Sequence, residues 1–117
     1  LLIATPEYNH GTSGLLKNAI DWASRPARQS VLDAKPVALM GASTGLGGTA
    51  RAQADVRDTL AFPGAQAMAE PELYVSRAKT KFDQLRLTDE PTRAALRELL
   101  EALVDWTERL RTLTAAA

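Results

Sequence analysis

The stretch LLIATPEYNHGTSGLLKNAIDW, residues 1–22, joins a short apolar run to a polar turn and then to a segment with helical periodicity. Residues 1–4 are apolar without alternation, which is typical of a strand buried on both faces of a parallel sheet. Pro6 has no backbone donor, so we expect the strand to end there. Because ligands bind at the carboxyl ends of strands in open α/β sheets, the polar turn at 7–14 is a candidate site.

The same order of strand, loop and helix occurs a second time. Residues 37–40 are an apolar run that leads into the glycine-rich stretch 41–48, and residues 49–61 follow with a mostly helical pattern. Glycines let the backbone approach a flat or anionic group, and the amides of the next helix point into the same space. The spacing is not that of a Walker loop and no Lys follows the last Gly, which disfavours nucleoside triphosphate chemistry.

Further elements are predicted along the chain. Apolar spacing predicts a first helix over 13–25 with Ser13 as its cap. After the second unit come a weaker strand candidate at 65–69, an extended segment at 73–75 and a helical turn at 78–82.

The C-terminal segment has the strongest helical pattern. A cap at Thr88 or Asp89 and Pro91 in the first turn precede a long apolar stripe. The stripe comprises Leu96, Leu99, Leu100, Leu103, Trp106, Leu110 and Leu113. We expect this helix to cover a sheet face or a partner. The repetition of strand and helix predicts an α/β fold with parallel strands joined by right-handed crossovers.

Composition excludes several classes of protein. The chain has 117 residues, and its 14 basic and 14 acidic residues give a formal charge of zero, which disfavours nucleic acid and anionic membranes as partners. There is no cysteine, so disulfides and thiolate metal sites are excluded, and a cytoplasmic location is the default expectation. Because residues 1–4 need strand neighbours on both sides, we interpret 1–117 as a single partial domain, truncated at the N-terminus.

The chain has few side chains arranged for catalysis or metal binding. Ser13 or Ser43 with His10 is the only arrangement that a serine hydrolase could use, and the G-x-S-x-G elbow is missing, so this reading is disfavoured. One His among scattered carboxylates gives no metal-ligand spacing. Trp22 and Trp106 are interpreted as core or interface anchors.

Four stretches resemble, in order and at the expected separations, the NADPH-dependent FMN reductase family. They are TPEYNHGTSGLLKNAIDW, KPVALMGASTGLGGTARAQADVRDTL, EPELYVSRAKTKFD and LTDEPTRAALRELLEALVDW. The resemblance implies a flavodoxin-like fold, with three layers around a parallel sheet, and tightly bound FMN. It also implies hydride transfer from NADPH or NADH to the flavin, and then to a small-molecule electron acceptor: a quinone, azo dye, free flavin or metal ion.

The resemblance also implies which residues bind FMN. The first loop would wrap the ribityl chain and ring edge through Pro6, Glu7, Tyr8 and Asn9. The second loop would lie along the isoalloxazine through Ser43, Thr44, Gly45, Leu46, Gly47 and Gly48. No residue is assigned a catalytic or metal-binding role, because the flavin carries the redox chemistry.

Residues 1–117 contain no counterpart of the family's phosphate loop, a Gly-Ser-x-Arg turn that follows an earlier strand. We therefore expect the chain alone to bind FMN weakly or not at all. The family also implies a homodimer or homotetramer when complete. The alternative is an inactive fragment or a non-catalytic dimerisation module whose helices at 13–25 and 49–61 self-associate.

Overall fold

Six strands and three α-helices make up residues 1–116, the part of the chain that the computed structural model describes. The strands are β1 (Leu2–Ala4), β2 (Pro36–Ala42), β3 (Gln66–Ala67), β4 (Leu73–Val75), β5 (Phe82–Asp83) and β6 (Arg86–Leu87). The helices are α1 (Gly14–Ala23), α2 (Ala50–Ala61) and α3 (Glu90–Ala115), with a short 3₁₀ helix at Ala78–Thr80. None of these helices within 1–116 combines the length and apolar character of a membrane span.

β2 is the central strand of the sheet. It pairs in parallel with β1 on one side, with Ile3 opposite Leu39. On its other side it pairs in parallel with β3 near its start and with β4 near its end, where Met40 lies opposite Leu73. β5 and β6 form a separate antiparallel hairpin. The prediction of a parallel sheet is confirmed.

The alternation of β2 side chains divides the core between two faces of the sheet. Val37 and Leu39 face α1 and α2, whereas Ala38 faces α3. The first face is completed by the buried side chains of Ile3, Ile20, Leu32, Val56 and Leu60. The second is completed by Met68, Leu73, Val75 and Leu99. The protein therefore has the predicted three layers, with helices on both faces of the sheet.

Several local expectations are corrected by the packing. β1 is not buried on both faces along its length, because Ile3 is buried but Ala4 is exposed. In α2 the apolar Ala54 is exposed, whereas the polar Gln53 is fully buried. Trp22 is 76% exposed, so it is not a core anchor. Trp106 is partly buried against the core on the α3 face of the sheet, and its Nε1 donates to the Gln66 carbonyl at 2.9 Å.

The predicted helix at 13–25 spans Gly14–Ala23, and Ser13 caps it by accepting from the Leu16 amide. α3 begins where predicted, because the Asp89 carboxylate accepts from the Thr92 amide and Pro91 lies in the first turn. The apolar stripe of α3 is only partly covered by the sheet. Leu99 is fully buried, whereas Leu113 is 68% exposed.

The contribution of the α3 contact can be measured. Leu99→Ala should lower the free energy of unfolding by about 2–5 kcal/mol, since it leaves a cavity between α3 and the sheet. The matched control Leu113→Ala, on the exposed end of the same stripe, should change it by less than about 0.5 kcal/mol. Urea denaturation followed by circular dichroism tests both. Equal losses in the two variants would show that α3 does not pack as described.

Candidate functional site

Two loops leave neighbouring parallel strands at the same edge of the sheet. The first loop, residues 5–13, follows β1, and the second loop, residues 43–49, follows β2. The strand pairing continues one residue into the first loop, where the Thr5 amide donates to the Met40 carbonyl at 2.9 Å. The structure thus brings the two predicted groups of site residues to adjacent positions at the carboxyl edge of the sheet.

The tip of the first loop is a tight two-residue turn. Asn9 and His10 both have left-handed backbones, with φ of 50° and 64°. Tyr8 and Gly11 flank them and exchange two backbone hydrogen bonds of 3.1 and 3.0 Å, which is the arrangement of a type I′ turn. Tyr8 is 64% exposed. The turn therefore presents Tyr8, Asn9 and His10 on a fixed backbone at the protein surface.

Glu7 joins the first loop to α2. Its Oε2 accepts hydrogen bonds from the Arg51 and Ala52 amides at 3.0 and 3.1 Å. These amides lie in the first turn of α2, where no carbonyl of the helix can reach them. The residue at the usual cap position, Thr49, has φ of 70° and makes no side-chain cap. Glu7 therefore caps α2 from a distant part of the chain, and its negative charge is favourable at the positive end of the helix dipole.

A second contact holds the first loop to α2. The Thr12 amide donates to Asp55 Oδ2 at 2.9 Å. This backbone hydrogen bond is the main cause that lowers the pKa of the Asp55 carboxyl below its ordinary value. Asp55 therefore stays ionised at neutral pH and can keep accepting the bond. With Glu7, it fixes the first loop at both ends of its turn.

The second loop is closed by Ser43, whose Oγ accepts from the Gly48 amide at 3.0 Å. Between these two residues the backbone is exposed, and Leu46 is 74% exposed. Within residues 1–116, the amides of 44–47 have no hydrogen-bond acceptor. The exposed part of the loop therefore holds a run of backbone donors that a ligand could use.

The segment after β4 supports the second loop from its other side. The Arg77 amide donates to the Gly45 carbonyl at 2.8 Å, and the Ala78 amide donates to the Ser43 carbonyl at 2.9 Å. These bonds occupy the Ser43 and Gly45 carbonyls and leave the amides of 44–47 available. The second loop is therefore fixed by β4 and α2 as well as by β2.

Gly48 is buried against β4. Its φ is +54°, and a Cβ at this position would lie 2.6 Å from the carbonyl carbon of Tyr74. A glycine is therefore required here by the approach of β4, whether or not a ligand is bound. The predicted contact between Gly48 and a flavin ring stays a prediction.

Gln53 is a residue of the site that the sequence analysis missed. It is fully buried, and its Nε2 donates to Thr49 Oγ1 at 3.1 Å and to the Leu73 carbonyl at 3.0 Å. It thereby links α2 to the end of the second loop and to β4. The signal was present in the sequence, because Thr49, Gln53, Val56 and Leu60 share one helical face.

The serine hydrolase reading gains no support from the geometry. Ser13 Oγ caps α1 and Ser43 Oγ accepts from Gly48. Neither hydroxyl forms a hydrogen bond with His10 in the described part of the chain. Over residues 1–116, no group of three His, Asp or Glu side chains is placed to hold a metal ion.

The glycine at position 48 gives a direct test of the loop packing. Gly48→Ala should lower the free energy of unfolding by about 1–3 kcal/mol, because it adds a Cβ at a left-handed position against the Tyr74 backbone. Gly14→Ala is the control, since a Cβ there meets nothing within 4 Å. Thermal denaturation measures both variants. If Gly14→Ala were the more damaging, the described contact between the second loop and β4 would be wrong.

Removal of the Glu7 cap should also destabilise the protein. Glu7→Ala leaves two helix amides without an acceptor, and we expect a loss of about 1–2 kcal/mol in the free energy of unfolding. Glu7→Gln keeps an acceptor but loses the charge, so its loss should be smaller. Glu101→Ala, at an exposed position of α3, serves as the control. A Glu7→Ala variant as stable as this control would exclude the cap.

The comparisons with known proteins agree with this geometry. The family model for NADPH-dependent FMN reductases matches residues 1–80. The chain is 50% identical over 112 residues to an NAD(P)H-dependent FMN reductase of Pseudomonas aeruginosa, covering 95% of this chain and 60% of the relative. It is 42% identical over 107 residues to a 2-hydroxy-1,4-benzoquinone reductase of a Burkholderia species, covering 91% and 58%.

Among solved structures, FerB of Paracoccus denitrificans, a flavoenzyme NAD(P)H:(acceptor) oxidoreductase, matches with a TM-score of 0.80 and 41% identity. The match covers 92% of this chain and 60% of FerB, and it confirms the predicted flavodoxin-like fold. The chain thus spans 58–60% of the length of these relatives. By its sequence and its fold, the chain belongs to the NADPH-dependent FMN reductase family.

Proposed function

We propose that this protein functions as an FMN-dependent oxidoreductase that uses NADPH or NADH to reduce a small-molecule acceptor. The observation that carries the proposal is the pair of braced loops at neighbouring strand ends, where the exposed residues 44–47 have amides without an acceptor in the described part of the chain. Because the chain spans 58–60% of the length of its relatives, the activity is inferred from this site and from the family. The names of two relatives, an FMN reductase and a benzoquinone reductase, favour flavins and quinones as acceptors.

The residues of the two loops fit a flavin. Its ring is flat and carries oxygen and nitrogen acceptors along one edge, which match a run of exposed backbone donors. The second loop would contact the ring through 43–48, and Pro6, Tyr8 and Asn9 of the first loop would contact the ring edge and ribityl chain. FMN, when bound, would supply the ability to accept a hydride and pass electrons on, which no side chain of this chain has.

The roles of the chain's own residues follow from their contacts. The amides of 44–47 would bind and orient the flavin ring, since they have no other acceptor within 1–116. Glu7 and Asp55 hold the first loop on α2, so they fix the position of the first loop relative to the second. We assign Glu7 to this positioning role, because its carboxylate already accepts two backbone hydrogen bonds.

We propose a homodimer or homotetramer in a cytoplasmic location. Large apolar side chains are exposed on the helices of the first sheet face: Leu15 is 83% exposed, Trp22 76% and Phe62 87%. Leu15 and Trp22 lie two turns apart on one face of α1, which is typical of a contact surface. The same surface would serve the alternative function, a non-catalytic dimerisation module.

Titration of the chain with FMN and riboflavin tests the proposal. We expect both flavins to bind weakly and with similar affinity, because the assigned residues contact the ring and ribityl chain and none is assigned to the phosphate. Asn9→Ala should weaken binding by about 1–2 kcal/mol, through a hydrogen bond lost at the turn. Asn18→Ala, on the exposed face of α1, is the control. Quenching of flavin fluorescence gives the dissociation constants.

Two outcomes would contradict the proposal. If neither flavin bound at millimolar concentration while the chain formed a stable dimer by analytical ultracentrifugation, the dimerisation module would be favoured. If the flavins bound and Asn9→Ala and Asn18→Ala were equally unaffected, the first loop would not be part of the site.

A further inference from the structure

Residues 77–81, Arg-Ala-Lys-Thr-Lys, form a basic segment in a chain of zero formal charge. Three of its five residues are cationic and none is acidic. Arg77 and Lys79 are exposed, and Lys81 is half-buried. Within residues 1–116, none of the three cations forms an ion pair. The segment therefore concentrates positive charge that the protein does not neutralise.

The basic segment lies directly beside the second loop. Its first residue, Arg77, donates its amide to the Gly45 carbonyl at 2.8 Å, and Ala78 donates to Ser43 at 2.9 Å. The backbone that carries the positive charges is therefore in contact with the loop whose amides are the assigned flavin donors. Arg77 and Lys79, both exposed, thus project from backbone that borders this loop.

The basic segment is also held in one conformation. The Thr80 hydroxyl donates to the Arg77 carbonyl at 2.9 Å, and the Lys81 amide donates to the Ala78 carbonyl at 3.0 Å. The Lys81 carbonyl in turn accepts from the Thr88 amide at 2.9 Å, at the start of the approach to α3. A fixed backbone lowers the entropy lost when its side chains bind a ligand.

Acidic neighbours do not cancel this charge. The pKa of the Asp89 carboxyl, at the start of α3, is lowered mainly by its hydrogen bonds from Thr92, and the Lys81 charge contributes to the lowering. That carboxylate is already engaged by the Thr92 amide and hydroxyl as the cap of α3. Asp83, in the hairpin, is exposed and forms no ion pair in the described part of the chain. Arg77 and Lys79 are left facing solvent.

From this placement we infer that the basic segment binds the phosphate groups of the pyridine dinucleotide. The inference rests on the proposed function, in which NADPH or NADH delivers a hydride at the second loop. A nicotinamide ring over that loop remains covalently joined to a pyrophosphate, and in NADPH also to a 2′-phosphate. Arginine and lysine make charge-assisted hydrogen bonds to phosphate oxygens, so Arg77 and Lys79 are the residues that would hold these groups.

The test measures binding without turnover. Adenosine 2′,5′-bisphosphate and ADP are titrated into the chain by calorimetry, because they carry similar charge but only the first has a 2′-phosphate. Arg77→Gln combined with Lys79→Gln should weaken binding by about tenfold or more, which corresponds to about 1.4 kcal/mol. Arg109→Gln combined with Arg111→Gln, on the exposed surface of α3, is the control and should leave binding unchanged. A third variant adds Lys81→Gln if its fold is retained.

Each outcome has a defined meaning. Weakening of adenosine 2′,5′-bisphosphate alone assigns the segment to the 2′-phosphate, and weakening of ADP alone assigns it to the pyrophosphate. Equal weakening of both assigns it to the 5′-phosphate that the two probes share. If neither probe is weakened while flavin binding is retained, the inference is wrong and the proposed function stands. If the control pair weakened binding as much as the Arg77 and Lys79 pair did, the effect would be one of overall charge, and the inference would be wrong. If neither flavin binds the chain at millimolar concentration and the chain forms a stable dimer, the non-catalytic dimerisation module is favoured over the proposed function, whatever the nucleotide probes show.

Discussion

The two hydrogen bonds that Glu7 accepts from α2 determine how the site is built. They join residues 44 and 45 positions apart in the chain and connect the loop after β1 to the helix after β2. Without them, the first turn of α2 would have no side-chain cap among residues 1–116, and Asp55 would be the one side chain of that range hydrogen-bonding the first loop to the helix. One carboxylate therefore stabilises the start of a helix and fixes the distance between two loops at once.

This arrangement separates the residues that build the site from those that face a ligand. Glu7, Gln53 and Gly48 are committed to contacts within the protein, to α2, β4 and the loop ends. The exposed atoms are the turn at 8–10 and the amides of 44–47. One loop can thus contain residues of both kinds, and only their contacts distinguish them.

The fold was predictable because its signals are local. Apolar runs, glycine-rich turns and caps such as Ser13 and Asp89 act within a few residues, and they placed both strand, loop and helix units correctly. The cap by Glu7 and the glycine requirement at position 48 depend on contacts with distant elements, which no local pattern reports. The hairpin of β5 and β6 was missed because strands of two residues are too short to show periodicity.

The most direct test of the account is a two-dimensional ¹H–¹⁵N spectrum of the chain recorded as FMN is added. The resonances of the amides of 44–47 and of Asn9 should shift progressively with flavin concentration. The amides of 44–47 are the assigned donors to the flavin, and Asn9 lies in the turn that would contact it. The amides of α3, on the other face of the sheet, should not move. Shifts confined to α3, or spread evenly over the chain with none concentrated in the two loops, would contradict the assignment of this cleft to a flavin.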